Sequence, residues 1–303
     1  MAQAQLNTDP KLQAADARPS STPGQLMWKR FKANRRAMAG LVVVILLFLV
    51  AIFAPVLAPM DPYEQNLSLK IQKPSAEHRL GMDELGRDVL SRLIYGSRIS
   101  LQVGFMTVGI SMVIGVVLGA LAGYYGGWVD TLIMRITDIV LAFPGIILAI
   151  AMMAVLGPSL VNVTLALALV RWTGYCRQVR GSFLSLRETE YVQGARSIGA
   201  RDWRIILKHL LPNSLTPIIV QASMGIAGAI VSEAGLSFLG LGTQPPTASW
   251  GSMLSGGRAY QYVAPHLTTY PGIAIMITVL GFNLLGDGLR DALDPRQTLG
   301  VKE

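Results

Sequence analysis

Apolar runs of membrane-spanning length alternate with polar connections along most of this chain. The first runs from Leu41 to Leu57, and others cover about Ile99 to Gly123, Leu132 to Leu156, Leu160 to Cys176, Leu215 to Leu236 and Thr269 to Leu285. A helix rises about 1.5 Å per residue, so some 20 apolar residues cross a hydrocarbon layer about 30 Å thick. The pattern therefore predicts an all-α, polytopic membrane protein with about six transmembrane helices.

The punctuation between and within the runs refines this. Pro55, Pro59 and Pro62 close the first run, and Pro144 is expected to kink the third. Gly104, Gly109, Gly115, Gly119 and Gly123 recur through the second, which marks it as a helix packed closely against others. Between the first and second runs, Asp88 to Arg98 puts Val89, Leu90, Leu93 and Ile94 on one face, the pattern of an interfacial helix.

Composition agrees, with 51% hydrophobic and 15% charged residues and a mean hydropathy of +0.45. An average soluble domain carries about 25% charged residues. The net charge of +8 does not point to nucleic acid, because the basic residues cluster beside apolar segments. Lys29, Arg30, Lys32, Arg35 and Arg36 precede the first run, and Arg177, Arg180, Arg187, Arg196, Arg201, Arg204 and Lys208 lie between the fourth and fifth. The connection from 242 to 268 holds only Arg258. By the positive-inside rule both termini and the 177–212 loop face the cytoplasm. Residues 58–98 carry six basic and six acidic residues and lie outside in this topology. The single cysteine, Cys176, excludes an internal disulfide and reads as a small apolar filler.

The most informative connection is 177–212. It reads as a helix through Tyr191, Gln193, Gly194, Ala195 and Arg196, a break at Gly199 and Ala200, and a second helix from about Asp202 that Pro212 ends after Leu211. Two short helices about a glycine turn make a compact knob, which can dock in another protein and pass rigid-body motion to the flanking helices. An amphipathic linker with surface arginines is the plainer alternative.

This loop resembles the cytoplasmic signature of binding-protein-dependent ABC importer permeases: Ala195, Gly199, Leu211 and Pro212 fall on the pattern, while Gln193, Gly194 and His209 depart from it. The run Leu80 to Asp83 with Gly86 to Arg92 is similar to dipeptide, oligopeptide and nickel permeases of that class. So are Gln244 to Pro246 with Trp250 and Gly251, and the closing run Asn283 to Pro295. The resemblance spans about residues 28 to 296. It implies a type I ABC importer permease architecture: a disordered cytoplasmic tail over 1–28, the first transmembrane helix and an extracytoplasmic segment over 29–98, a permease core over 99–290 with 177–212 as coupling loop, and a cytoplasmic tail over 291–303. It further implies the bacterial inner membrane, a homologous second permease, two ABC ATPase subunits, an extracytoplasmic solute-binding protein, and di- or oligopeptides as cargo. Nickel chelates, glutathione and opines are the alternative cargoes, and a stand-alone secondary transporter is the rival class. No Gly-x-x-x-x-Gly-Lys-Ser/Thr loop occurs in the chain, so ATP and Mg belong to partner subunits and this chain is not itself an enzyme.

Ionisable residues at membrane depth default to functional hypotheses. Glu233, near the outer end of the fifth helix, is a candidate for the substrate pathway, with pairing to Arg98 or Arg258 as the alternative. Asp138 and Arg171 are expected at similar depth and hence as a structural ion pair or a shared water network, with Arg135 competing one turn away from Asp138. His78, His209 and His266 fall on opposite sides of the membrane, so no metal site is expected. Ser237 lacks a nucleophile elbow and a nearby histidine, so no catalytic residue is assigned. Trp250, Tyr260, Tyr262 and Tyr270 fit an outer aromatic belt.

Overall fold

The computed structural model describes residues 23–293, so residues 1–22 of the expected tail 1–28 and 294–303 of the expected tail 291–303 lie outside the described residues. From Pro23 the chain is already helical: α1 covers Pro23–Ala33, and Asn34 then accepts from the amides of Arg36 and Ala37 to start α2, Arg35–Ile52. A short turn, Ala54–Leu57, follows.

Asp88 sets the next boundary. Its carboxylate accepts from the Ser91 amide at 2.8 Å and caps α3, Val89–Tyr125, a single helix of 37 residues. The interfacial helix expected over 88–98 is therefore the opening of α3, and the boundary placed at residue 98 falls inside it. Nothing breaks the backbone at Arg98, and an amphipathic opening merges smoothly into an apolar continuation.

The third run behaves in the opposite way. It divides into α4, Gly127–Leu141, and α5, Gly145–Leu156, which meet at 86° beside Pro144. The expected kink is a full break, since proline removes an amide donor and restricts the residue before it. Helix α6, Leu160–Leu186, follows behind the Ser159 cap, then α7, Glu190–Ser197.

Asp202–Ile205 and the widened turn Ile206–Leu210 lead into α8, Leu211–Phe238, as one helical run of 37 residues. Pro212 thus does not end a helix. It stands in the first turn of α8, where its missing N–H is least costly, and the π-type turn before it absorbs the ring. Helix α9, Trp250–Gly257, opens on a reciprocal Ser249/Ser252 cap, and α10 covers His266–Leu293.

Among the described residues four helices are long and apolar enough to cross a membrane: α2, α3, the run ending in α8, and α10, or five segments if the bent α4–α5 pair is one crossing. Helix α6 is long enough at 27 residues, but Arg171 and Arg177 interrupt its apolar stretch. The core lies where small residues let backbones meet. A Cβ added at Gly115 or Gly119 of α3 would stand 2.6 Å from the Trp172 carbonyl or 2.5 Å from the Cys176 carbonyl of α6. Gly40 of α2 meets the Leu285 amide of α10 in the same way. Close backbone approach of this kind replaces hydrophobic exclusion as the source of helix association in lipid.

Candidate functional site

Two ends of α3 define the molecule's poles. At its Val89 end, Asp83 accepts from Arg87 at 2.7 Å and lies 3.3 Å from Arg92, while Arg87 also reaches Glu84 at 3.0 Å. Arg92 donates to the Pro62 carbonyl at 3.1 Å. These side chains are buried apart from Glu84, and they tie the polar segment 58–88 to the α3 entrance. His78 and His266 stand at this pole, against Asp88 and Gly81 respectively. Trp250 belongs here too, but inside: it is 2% exposed and its indole donates to the Leu93 carbonyl at 3.0 Å. The aromatic-belt expectation is corrected for Trp250, because it fills the gap left by Gly96. Tyr262 is 92% exposed.

The opposite pole carries the knob. Helix α7 buries Val192 and Ala195 against the bundle and turns Tyr191, Gln193, Gly194 and Arg196 outward. It ends in a Schellman turn, with the Ala200 amide donating to Ala195 and the Gly199 amide to Arg196. Gly199 has φ +76°, the left-handed conformation such a turn requires. The second limb buries Ile205 and Leu210. Tyr191 and His209 face each other with ring centres 6.3 Å apart. Between the limbs lies a groove of about 460 Å³ lined by Tyr191, Ala195, Ile198, Gly199, Arg204 and His209.

The knob is fastened to the end of α3. The Tyr124 hydroxyl donates to Asp202 at 2.7 Å, the Arg196 guanidinium lies 5.2 Å from the Tyr124 ring, and Arg187 donates to the Gly123 carbonyl at 3.2 Å. Ile198 and Trp203 project outward, 86% and 57% exposed. Sequence reading missed Tyr124 and Trp203 as parts of this site and gave Ile198 and Asp202, which it placed in the knob, no role. Two large apolar side chains either side of a glycine turn in a polar loop were the available signal.

The predicted Asp138–Arg171 pair does not form. Asp138 accepts from Arg177 at 2.6 Å, and Arg180 makes a two-pronged bond to Asp130. The 86° break turns α4 so that both its acids meet the arginines at the same end of α6, beyond the reach of Arg171. Arg135 forms an ion pair with neither Asp138 nor Asp130, whose partners are Arg177 and Arg180. Arg171 instead donates to the Ser232 hydroxyl of α8 at 2.9 Å.

Glu233, the candidate pathway residue, is fully buried inside this chain. One carboxylate oxygen accepts from Ser237 at 2.6 Å, Ser249 at 3.1 Å and Thr243 at 3.5 Å. Neither Arg98 nor Arg258 reaches it, and Arg258 lies over Phe238 instead. Helix α8 turns Glu233 toward the loop that returns to α9, so the acid gathers three hydroxyls and pins the loop. Ser237 serves as a donor in that cluster.

Long apolar helices, with a buried polar knot at one pole and a fastened knob at the other, define a polytopic membrane protein. Residues 115–299 match the family described as the binding-protein-dependent transport system inner membrane component, and residues 22–74 match the N-terminal transmembrane domain of oligopeptide transport permease C. The chain belongs to this family of ABC importer permeases. It is 50% identical to the dipeptide transport system permease protein of Alkalihalophilus pseudofirmus, covering 91% of this chain and 90% of that one. It is 48% identical to the glutathione transport system permease protein of Pectobacterium atrosepticum, covering 91% and 92%. Among solved structures, the inward-facing MetNI methionine ABC transporter aligns with a TM-score of 0.55 at 20% identity, over 67% of this chain and 97% of that one, a likeness of fold.

Proposed function

We propose that this chain forms one half of the membrane pathway of an ATP-driven importer of short peptides, with a homologous permease forming the other half. Two ATPase subunits, to which ATP and Mg belong, grip the knob from the cytoplasm, and an external binding protein delivers the cargo. Both termini then lie in the cytoplasm, as the arginine count of the 177–212 loop favours.

The observation that carries this reading is the knob itself. Ile198 and Trp203 offer an apolar wedge at the tip of a turn whose base is continuous with α8 and bonded to α3 and α6 through Tyr124 and Arg187. A partner that displaces this wedge moves three long helices together. Dipeptides and glutathione, the cargoes named for the relatives, share a small peptide with a free carboxylate.

The test is uptake by proteoliposomes holding the whole complex, purified through a tag on this chain, with its binding protein. Uptake of labelled glycyl-leucine or glutathione should need ATP and ignore a protonophore. Ile198→Glu should abolish uptake and ATPase recovery in the complex while the permease pair stays folded. Uptake that persists without ATP and collapses with the protonophore would end the reading.

A further inference from the structure

A polar seam runs between α6 and α8 where apolar contact would be expected. Arg171 stands eleven residues into α6, about 16 Å along a helix axis from its Leu160 start and five residues before Cys176, within the apolar run. Its guanidinium bonds to Ser232, and no carboxylate among the described residues forms an ion pair with it. One turn from Ser232, Gly228 lets the guanidinium pack against the α8 backbone: a Cβ there would stand 3.2 Å from both of its terminal nitrogens. One turn along α6, Gly174 does the same for Gln221, whose side-chain oxygen is buried without a hydrogen-bond partner. Gln221 in turn lines a cavity of about 520 Å³ between α6, α8 and the end of α10, together with Gln178 and Arg290.

An unneutralised guanidinium within an apolar segment is costly unless it faces protein, water or an anion. Lipid is thus a poor neighbour for this seam. Asp130 and Asp138 are both engaged by Arg180 and Arg177, so no carboxylate among the described residues neutralises Arg171. We propose that Arg171 is a pathway anion site that takes the C-terminal carboxylate of a short peptide in transit, while the free oxygen of Gln221 accepts a peptide N–H one step nearer the cavity. Guanidinium suits this role, since its planar fork matches a carboxylate with two parallel hydrogen bonds. The Ser232 bond holds the fork across the helix pair, and the two glycines let Arg171 and Gln221 lie close against the facing helices.

This proposal rests on the importer reading, and the two fail differently. The experiment compares wild type with Arg171→Gln and Arg171→Lys in the reconstituted complex, using labelled glycyl-leucine in one arm and glutathione in the other. Arg171→Gln is expected to cut uptake tenfold or more while ATPase stimulation by the loaded binding protein persists, so that ATP hydrolysed per peptide imported rises about tenfold. Arg171→Lys should keep an intermediate rate. Loss confined to one arm identifies which peptide uses the site. Wild-type uptake by Arg171→Gln, or a fall of uptake and ATPase stimulation in step, overturns the proposal. Should Arg171→Gln not assemble, Gly228→Ala keeps the charge and crowds the fork. A several-fold loss of uptake is then expected, and an undiminished rate refutes the site. If the wild-type complex imports neither probe, the peptide-importer reading itself fails and the site falls with it.

Discussion

Tyr124 donates its hydroxyl to Asp202 at 2.7 Å, joining residues 78 apart in sequence at the base of the knob. The same ring receives the Arg196 guanidinium on its face. A net hydrogen bond of this kind contributes about 1 kcal/mol, more when one partner is charged. Tyr124→Phe keeps the ring contact and removes the bond. It is expected to leave expression and ATPase activity intact while lowering peptides imported per ATP a few-fold. Tyr124→Ala removes both contacts and should lower that ratio further. Paired uptake and ATPase measurements check this, and equal ratios in all three proteins would show that the contact does not transmit motion.

Glu233 holds three hydroxyls in a fully buried cluster. Glutamine retains an acceptor oxygen at that place, so Glu233→Gln should fold and import near the wild-type rate. Leucine strands Ser237, Thr243 and Ser249 without their acceptor, at about 1–3 kcal/mol for each group left unsatisfied. Glu233→Leu should therefore unfold at clearly lower temperature in detergent. Loss of uptake in Glu233→Gln with an unchanged melting curve would place the residue in the pathway.

Two glycines of α3 make a matched pair. At Gly119 an added Cβ would stand 2.5 Å from the Cys176 carbonyl, where only backbone could give way, whereas at Gly109 nothing lies within 4 Å. Gly119→Ala should force α3 and α6 apart and sharply reduce folded protein. Gly109→Ala should be neutral or slightly stabilising, since alanine is favoured over glycine in a helix interior by about 1 kcal/mol. Size-exclusion profiles and thermal melts of the two proteins decide it.

Much of this architecture was legible in the sequence because lipid makes the apolar pattern nearly obligatory. Every apolar run became helix, and the glycine recurrence of the second run marked the helix that packs most closely. The knob's glycine turn was also legible, since Gly199 between two amphipathic segments has few other uses. Partners of charged side chains were not. Depth along a helix placed Asp138 beside Arg171, but the break at Pro144 turns α4 and hands Asp138 to Arg177. Which way Glu233 faces depends on the rotation of α8 about its axis, and no spacing rule fixes that. Pro212 misled because proline reads as a terminator, while the turn that accommodates it is set by backbone hydrogen bonding across Ile206–Leu210.

The glycine contacts of α3 carry a mechanical consequence. At 1.5 Å per residue its 37 residues make a rod of about 55 Å. Gly115, Gly119 and Gly123 clamp that rod against α6 near the knob, and the buried Asp83–Arg87–Arg92 knot grips its other tip. A lever with one clamped arm and a loaded far tip magnifies small tilts. One degree of rotation about the clamp, about 45 Å from Val89, sweeps that tip by roughly 0.8 Å, so small tilts at one pole are magnified at the other.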